Sequence, residues 1–347
     1  MKVLFLTSKL SGYMTSCVKA LGNEPETQIT IIHWPQSELA PFEISLGEHI
    51  RSLPKNKFSS FKKFKNFSLE YAPNIVIMSG WMDKDYLKIG KILKQKGTMV
   101  IAGSDTQIKY SFRQFIGKIY FRFVLNKSIS KFWVSGELQR QLILRLGAKP
   151  ENIFEGYYAC DWDLFNDKKP KSNNTQFLFI GRLIERKGIK DLLEAYTIYS
   201  KSVHKPWSLK IIGNGPEEKI ITKDSKIIHE RFIQPNLLID HMKKASCFIL
   251  PSHYEPWGVV CQEASALSLP LILSKACGAG VHLLKDNVNG FSYATKNINQ
   301  LAKCMIAMHN LPLKEREEMG IMSHQLSKQY TPKAWVKNLK SQIQKNL

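Results

Sequence analysis

The sequence predicts an α/β protein built from two Rossmann-like, doubly wound parallel-sheet domains that face each other across a cleft. Three observations lead there. The chain has 347 residues, more than one hydrophobic core usually serves. Short apolar runs alternate with helical patterns along its length, the signature of a parallel sheet. A polar stretch near the middle interrupts that alternation, which then restarts.

In order, the first half places strands at residues 3–6, 29–32, 75–78, 99–102 and 132–134. Residues 168–175, without an apolar side chain, read as an interdomain linker. The second half places strands at 177–180, 209–212, 227–228, 247–250 and 270–273, with a helix over 189–199. The expected division is therefore an acceptor-binding domain over 1–167 and a nucleotide-sugar domain over 176–330. In a closing helix over 331–347, Thr331 is the N-cap and Pro332 the first helical residue. Its apolar positions Ala334, Trp335, Leu339 and Ile343 imply packing back toward the N-terminal domain.

Composition narrows the class. No apolar stretch reaches the roughly 18 residues of a membrane span, and the run at 1–6 is too short for a signal sequence. The six cysteines are scattered with no C-x-x-C pair, which argues against a zinc site or a disulfide framework and for a reducing cytoplasm. Net charge is +21, enough to gather polyanions or anionic lipid. Residues 1–150 hold most of the excess, with 23 basic and 10 acidic side chains.

The chemistry is concentrated in the second half. After the strand at 177–180 comes Gly181-Arg182-Leu183-Ile184-Glu185-Arg186-Lys187-Gly188. A small residue at the strand end lets backbone approach a ligand, and Arg182 and Lys187 put two cations there. Such a corner suits phosphate, and it equally suits a tight turn with solvated charges. Gly213-Asn214-Gly215 follows the next strand and permits close apposition to a ring or a ribose. Taken alone it is more often a plain strand-to-helix turn.

The most informative segment is 251–264, where seven residues separate Glu255 from Glu263. Were the stretch mostly helical, the two carboxylates would lie about 12 Å apart, too far for a hydrolytic pair. Gly258 and Val259 would instead open a helix whose amide groups face a diphosphate, with one carboxylate on either side for hydroxyl groups.

Together, Gly181-Arg182 with Lys187-Gly188, the Gly213-Asn214-Gly215 loop, and Glu255 with Glu263 resemble the retaining GT-B glycosyltransferases of group 1, the family-four type, including enzymes of bacterial surface polysaccharide. The match is nearly continuous from 176 to about 291, with weaker echoes at 135–137 and 161–165. The resemblance implies that Arg182 and Lys187 hold the leaving diphosphate, Glu263 the ribose, and Glu255 the transferred sugar. Gly181, Gly213, Asn214 and Gly215, with Trp257, Gly258, Val259 and Val260, complete the donor contacts, and Phe232 and Ile233 line the base pocket. It further implies transfer from a UDP- or GDP-sugar with no metal and no cofactor. Removal of Lys187 is then expected to slow turnover by roughly 100-fold without unfolding the protein.

Two positions depart from the family pattern. The glycine-rich loop after the first strand is reduced to Ser11-Gly12-Tyr13-Met14, leaving Gly12 as its donor contact. Where relatives often place a histidine, this chain has Gly103-Ser104-Asp105. Asp105 either orients the acceptor hydroxyl or the sugar, or caps the next helix. His253 and His282, close to the motifs, read as structural.

Two basic, aromatic segments stand out in the first half. Residues 51–67 interleave Phe58, Phe61, Phe64 and Phe67 with six basic and no acidic side chains, from Arg51 to Lys65. Residues 109–132 repeat the pattern with Phe112, Phe115, Ile116, Ile119, Tyr120 and Phe123. Both read as helices that touch an anionic membrane, or as ordinary core helices with solvated lysines. The first reading gives a glycan or lipid-linked glycan acceptor and a cytoplasmic protein peripheral on the inner face of the membrane. Nucleic-acid binding would also use the charge, but no motif for it accompanies the basic residues. A nucleotide-sugar epimerase or a phosphorylase on the same fold is the other alternative. Epimerases generally lack this motif set, and phosphorylases need pyridoxal phosphate on a lysine in a longer chain.

Overall fold

The computed structural model describes the chain except for Lys9, 36–45, Glu48, Tyr110, 167–174, 222–223 and 345–347. The expected linker over 168–175 thus lies almost wholly outside the described residues. Contacts divide the chain into two units, Met1–Ala159 with Pro332–Leu347, and Cys160–Thr331.

The first unit holds β1 (Lys2–Thr7), β2 (Gln28–His33), β3 (Ile50–Pro54), β4 (Ile75–Met78), β5 (Met99–Ser104), β6 (Lys131–Val134) and β7 (Ile153–Phe154). They pair in the order β3-β2-β1-β4-β5-β6-β7, and the pairings are parallel. The second unit holds β8 (Gln176–Ile180), β9 (Ser208–Ile212), β10 (Ile227–Glu230), β11 (Cys247–Leu250), β12 (Leu271–Ser274) and β13 (Gly290–Tyr293), in the order β10-β9-β8-β11-β12-β13 and again parallel. Two Rossmann-like parallel sheets are therefore present, as the alternation predicts.

The strands that sequence reading passes over are edges. β3 and β7 bound the first sheet, and β13 bounds the second. A central strand is covered on both faces and reads as a continuous apolar run, as β4 and β11 do. An edge strand need not be. β3 reads Ile-Arg-Ser-Leu-Pro, with only Ile50 and Leu53 buried, and its proline suits an edge. Residues 51–65 are accordingly not one helix. They are most of β3, a tight turn at Lys55–Lys57, and the start of the helix Phe61–Tyr71.

Alternate residues of the first sheet feed two cores. Leu4 and Leu6 point into one with Phe64 and Tyr86, while Val3 and Phe5 point into the other. The C-terminal helix Pro332–Gln344 closes the second core. Its Trp335 lies stacked on Trp133 with ring centroids 4.3 Å apart, and the indole N–H donates to the Tyr157 carbonyl (3.0 Å).

Each sheet has one place where strand order reverses, between β1 and β4 and between β8 and β11. In open parallel sheets ligands bind at the carboxyl ends of strands at that reversal. The segments leaving β8 and β11 are Gly181–Gly188 and 251–258, the two richest in motif residues.

Trp335→Ala is expected to cost about 3–5 kcal/mol, the usual loss for truncating a buried tryptophan. Denaturant unfolding measures it. A change below about 1 kcal/mol would show that the helix is not part of the core.

Candidate active site in the C-terminal unit

Backbone geometry joins the two segments. Beyond β8 the chain makes a tight turn at Glu185–Lys187, reaches Gly188 at φ +71, and enters the helix Ile189–Ser202. A side chain at Gly188 would put its Cβ 2.2 Å from the Pro251 carbonyl oxygen, so only glycine allows the approach. There the N–H of His253 donates to the Arg186 carbonyl (2.8 Å), and the Arg186 guanidinium donates to the Tyr254 carbonyl (3.2 Å). His253 Nε2 lies 2.8 Å from Asp191 Oδ2, so that ring is committed to the scaffold.

This fastening brings Lys187 and Glu255 together as a buried ion pair. Ser252 Oγ donates to the same carboxylate oxygen, Oε2, at 3.4 Å. Behind Glu255, its N–H donates to the Ala276 carbonyl (3.2 Å), and its carbonyl accepts from the Gly278 N–H (3.0 Å). The loop after β12 therefore holds the glutamate from the far side, and nothing in the sequence motif announces that loop. Burial and the Glu255 charge push the Cys277 thiol up to about 12, and burial raises Cys261 well above the usual range. Both remain protonated and poor nucleophiles.

Glu255 precedes the helix Val259–Ala266 rather than lying in it. The sequence-based separation of the two glutamates assumed helix through much of that stretch and does not apply. Gly258 is the N-cap, at φ +96, and Val259 the first helical residue. No acceptor bonds the amides of Val259 and Val260 among the described residues, which leaves two donors at the positive end of a helix dipole. Glu263, one turn on, is partly buried. Desolvation, reinforced by the Asp161 carboxylate, raises its pKa to about 7. The Trp257 indole lies in the core beside His282 and Tyr330, with ring centroids 5.5 and 5.7 Å away. Its side chain is therefore unavailable to a donor, which corrects the expectation for that residue.

The loop after β9 joins from the other side. A Cβ at Gly213 would meet the Gly181 carbonyl oxygen at 1.9 Å, and one at Gly215 the Leu183 oxygen at 2.2 Å. These glycines are explained by two loops lying against each other. Asn214 Oδ1 accepts from the Phe232 N–H (2.8 Å), which draws the partly buried Phe232 and Ile233 toward the same edge. Arg182, beside Gly181, is exposed.

In the N-terminal unit Asp105 follows β5, and the next helix, Phe112–Tyr120, is capped by Ser111, so Asp105 is not its cap. Asp105 Oδ2 accepts from the Tyr158 hydroxyl (3.1 Å), and the Tyr158 ring meets Tyr13 edge-on at 5.1 Å. Gly12 opens the helix Gly12–Gly22 beside them, and a Cβ there would meet nothing within 4 Å. Tyr158 escaped sequence reading because a tyrosine after a two-residue strand carries no pattern.

Comparison with known proteins bears on the family and the fold. Residues 161–325 match the family model "Glycosyl transferases group 1". Glycogen synthase of Mycobacterium tuberculosis is 28% identical over 159 residues, covering 43% of this chain and 37% of that enzyme. The chain thus spans well under half the length of the curated relatives it matches first. Among solved structures, the Anabaena protein HepE in complex with UDP and glucose superposes with a TM-score of 0.75 at 14% identity, covering 100% of both chains. The lipopolysaccharide outer core galactosyltransferase WaaB gives 0.70 at 16%, again over 100% of both. The group 1 family is supported on the C-terminal unit, and GT-B glycosyltransferases share the fold of the whole chain.

Burial of the ion pair changes what a lysine variant tests. Removing Lys187 leaves Glu255 buried and uncompensated, so Lys187→Met is expected to destabilise the fold by about 3–5 kcal/mol. Adding Glu255→Gln should recover most of that loss, and denaturant midpoints decide. A single variant as stable as the wild type would contradict the pairing. Glu263 supplies a pH test. A carboxyl held above its unfolded value destabilises the fold progressively from about pH 4.5 to about pH 7, and fully beyond. Glu263→Gln should therefore melt higher than wild type at pH 8, and the gain should vanish below pH 4.5. An equal gain at both ends would exclude a raised carboxyl.

Proposed function

We propose that the chain is a glycosyltransferase, one that moves a sugar from a nucleotide diphosphate donor to a hydroxyl of a glycan or lipid-linked glycan. The group 1 signature in the C-terminal unit is the premise. What carries the reading is the convergence, at the reversal between β8 and β11, of a buried lysine-glutamate pair, two unbonded helix amides and an exposed arginine. A departing diphosphate needs its developing charge met by preorganised donors. Lys187 still has donors to give beyond the one spent on Glu255. With Arg182 and the amides of Val259 and Val260, it supplies that potential from side chain and backbone, the basis of a metal-independent reading.

Glu255, gripped by Lys187 and Ser252, is fixed in orientation and suits hydrogen bonds from sugar hydroxyls. Glu263 serves the ribose, and Phe232 with Ile233 the base. In the N-terminal unit, Asp105, steadied by Tyr158, accepts a proton or hydrogen bond from an acceptor hydroxyl, and Gly12 has the open space a bound group needs. The reaction we assign is front-face attack with retained anomeric configuration. Solved relatives of the same fold include a UDP complex and a lipopolysaccharide enzyme. On that support we infer UDP as the first donor to test and surface polysaccharide, made at the inner face of the membrane, as the product.

A thermal-shift series with UDP, GDP, ADP and their sugars tests the donor. A ligand at 100 times its Kd adds about 2.7 kcal/mol, so one base should raise the melting temperature clearly, and Arg182→Ala should shrink the shift. If none of these nucleotides shifts the wild type, the pocket is not a donor site. A product of inverted anomeric configuration, read by NMR, would overturn retention alone.

A further inference from the structure

The two phenylalanine-rich segments, so alike in sequence, separate in space. Phe64 is buried, and Phe58, Phe61 and Phe67 pack against the same core, with the Phe58 ring tilted against those of Phe64 and Phe67 at centroid distances of 5.3 and 5.2 Å. The lipid contact expected of 51–67 is thereby corrected: those rings are spent on the core. The helix Phe112–Tyr120, continued by the wide π-type turn Phe121–Leu125, does the reverse. Phe112, Phe115, Ile116, Ile119, Tyr120 and Phe123 are 41–77% exposed.

Steps of three and four residues put these six on one face. The opposite face holds Gly117 and Phe121. Gly117 is where the helix meets its neighbour Glu137–Leu146, for a Cβ there would stand 3.0 Å from Leu146 Cδ2, and Phe121 is buried. The helix is thus seated by its smallest residue and turns its largest ones outward. Exposed Lys118, Arg122 and Lys127 flank the apolar face, and no acidic residue occurs between Asp105 and Glu137. The Arg122 guanidinium lies 5.8 Å from the Phe123 ring, so cation and aromatic ring are presented together.

We propose that this face docks on an anionic lipid bilayer, its aromatic and aliphatic side chains entering the headgroup boundary while Lys118, Arg122 and Lys127 meet phosphate groups. An apolar strip bordered by cations has the chemistry of an interfacial helix. A second copy of this chain is the poorer occupant, since a two-fold contact would bring the same cations face to face. The proposal rests on the inner-membrane placement given above, but binding to lipid does not require the transfer reaction.

Flotation of the full chain with phosphatidylcholine vesicles, with and without phosphatidylglycerol, provides the test. At low salt the wild type should float with the anionic vesicles, less so at high salt and little with the neutral ones. Phe115→Ser/Ile119→Ser and Lys118→Gln/Arg122→Gln should each lower partitioning by roughly tenfold or more. All three proteins should keep the same melting temperature and the same nucleotide-induced shift, since the altered positions are exposed and belong to the N-terminal unit, whereas the donor motifs belong to the C-terminal one. The proposal is overturned if the wild type stays in solution, if both variants float like it, or if the serine pair instead dissolves a dimer seen without vesicles. Loss of the nucleotide shift in the wild type, with flotation intact, would sink the donor reading and leave this one standing.

Discussion

A lysine and a glutamate buried against each other set the terms for the C-terminal unit. Taking either charge out of water alone costs several kcal/mol, and the pair recovers that cost only if its geometry is held closely. Three loops do the holding. The turn at Glu185–Lys187 presents the lysine, Pro251–Glu255 presents the glutamate, and the loop after β12 fastens the glutamate's backbone through Ala276 and Gly278. Each begins at the carboxyl end of a strand, and β8 and β11 are neighbours only because strand order reverses between them. The charge pair and the sheet topology therefore depend on one another. A slip in either would strand an ion in a dry environment.

That dependence explains the uneven legibility of the site. Lys187, Glu255, Glu263 and the glycines could be read because their types and spacing form a pattern along the chain. The Ala276–Gly278 contacts and the Asp161 charge beside Glu263 act across the fold and leave no local trace. Trp257 shows the opposite error. Lying inside a motif, it reads as a ligand contact, yet its indole fills the core between His282 and Tyr330. Sequence spacing places a residue near a site but does not say which way its side chain turns.

The fold was legible to the degree that strands are buried on both faces. The strands in the middle of each sheet read as largely apolar runs, broken only by a residue such as Thr30 or Lys210, because both of their faces pack. The edges β3, β7 and β13 do not, having one side free of such packing, and β7 is only two residues long. The two phenylalanine segments mark another limit. Period and composition are the same in both, and periodicity identifies an apolar face without saying what covers it. For one the covering is Phe64 and its neighbours in the sheet core. For the other, Gly117 takes the inward position and the large side chains are left outside.

Glycines sort by the same reasoning into those the chain needs for itself and those it does not. Gly188, Gly213 and Gly215 are required by close approach, since a Cβ at each would collide with a carbonyl oxygen of the adjoining loop. Their place in a donor motif follows from the packing that builds the loops, and contact with a ligand need not be invoked. Gly12 is different. Nothing stands within 4 Å of a Cβ there, and its backbone does not occupy the region that favours glycine. Folding alone would accept alanine there. The fold thus gives no steric reason for a glycine here, and leaves open space in front of its backbone. At the start of the first helix, next to Tyr13, whose ring meets that of Tyr158, the proposed function supplies one: a bound group brought close to backbone.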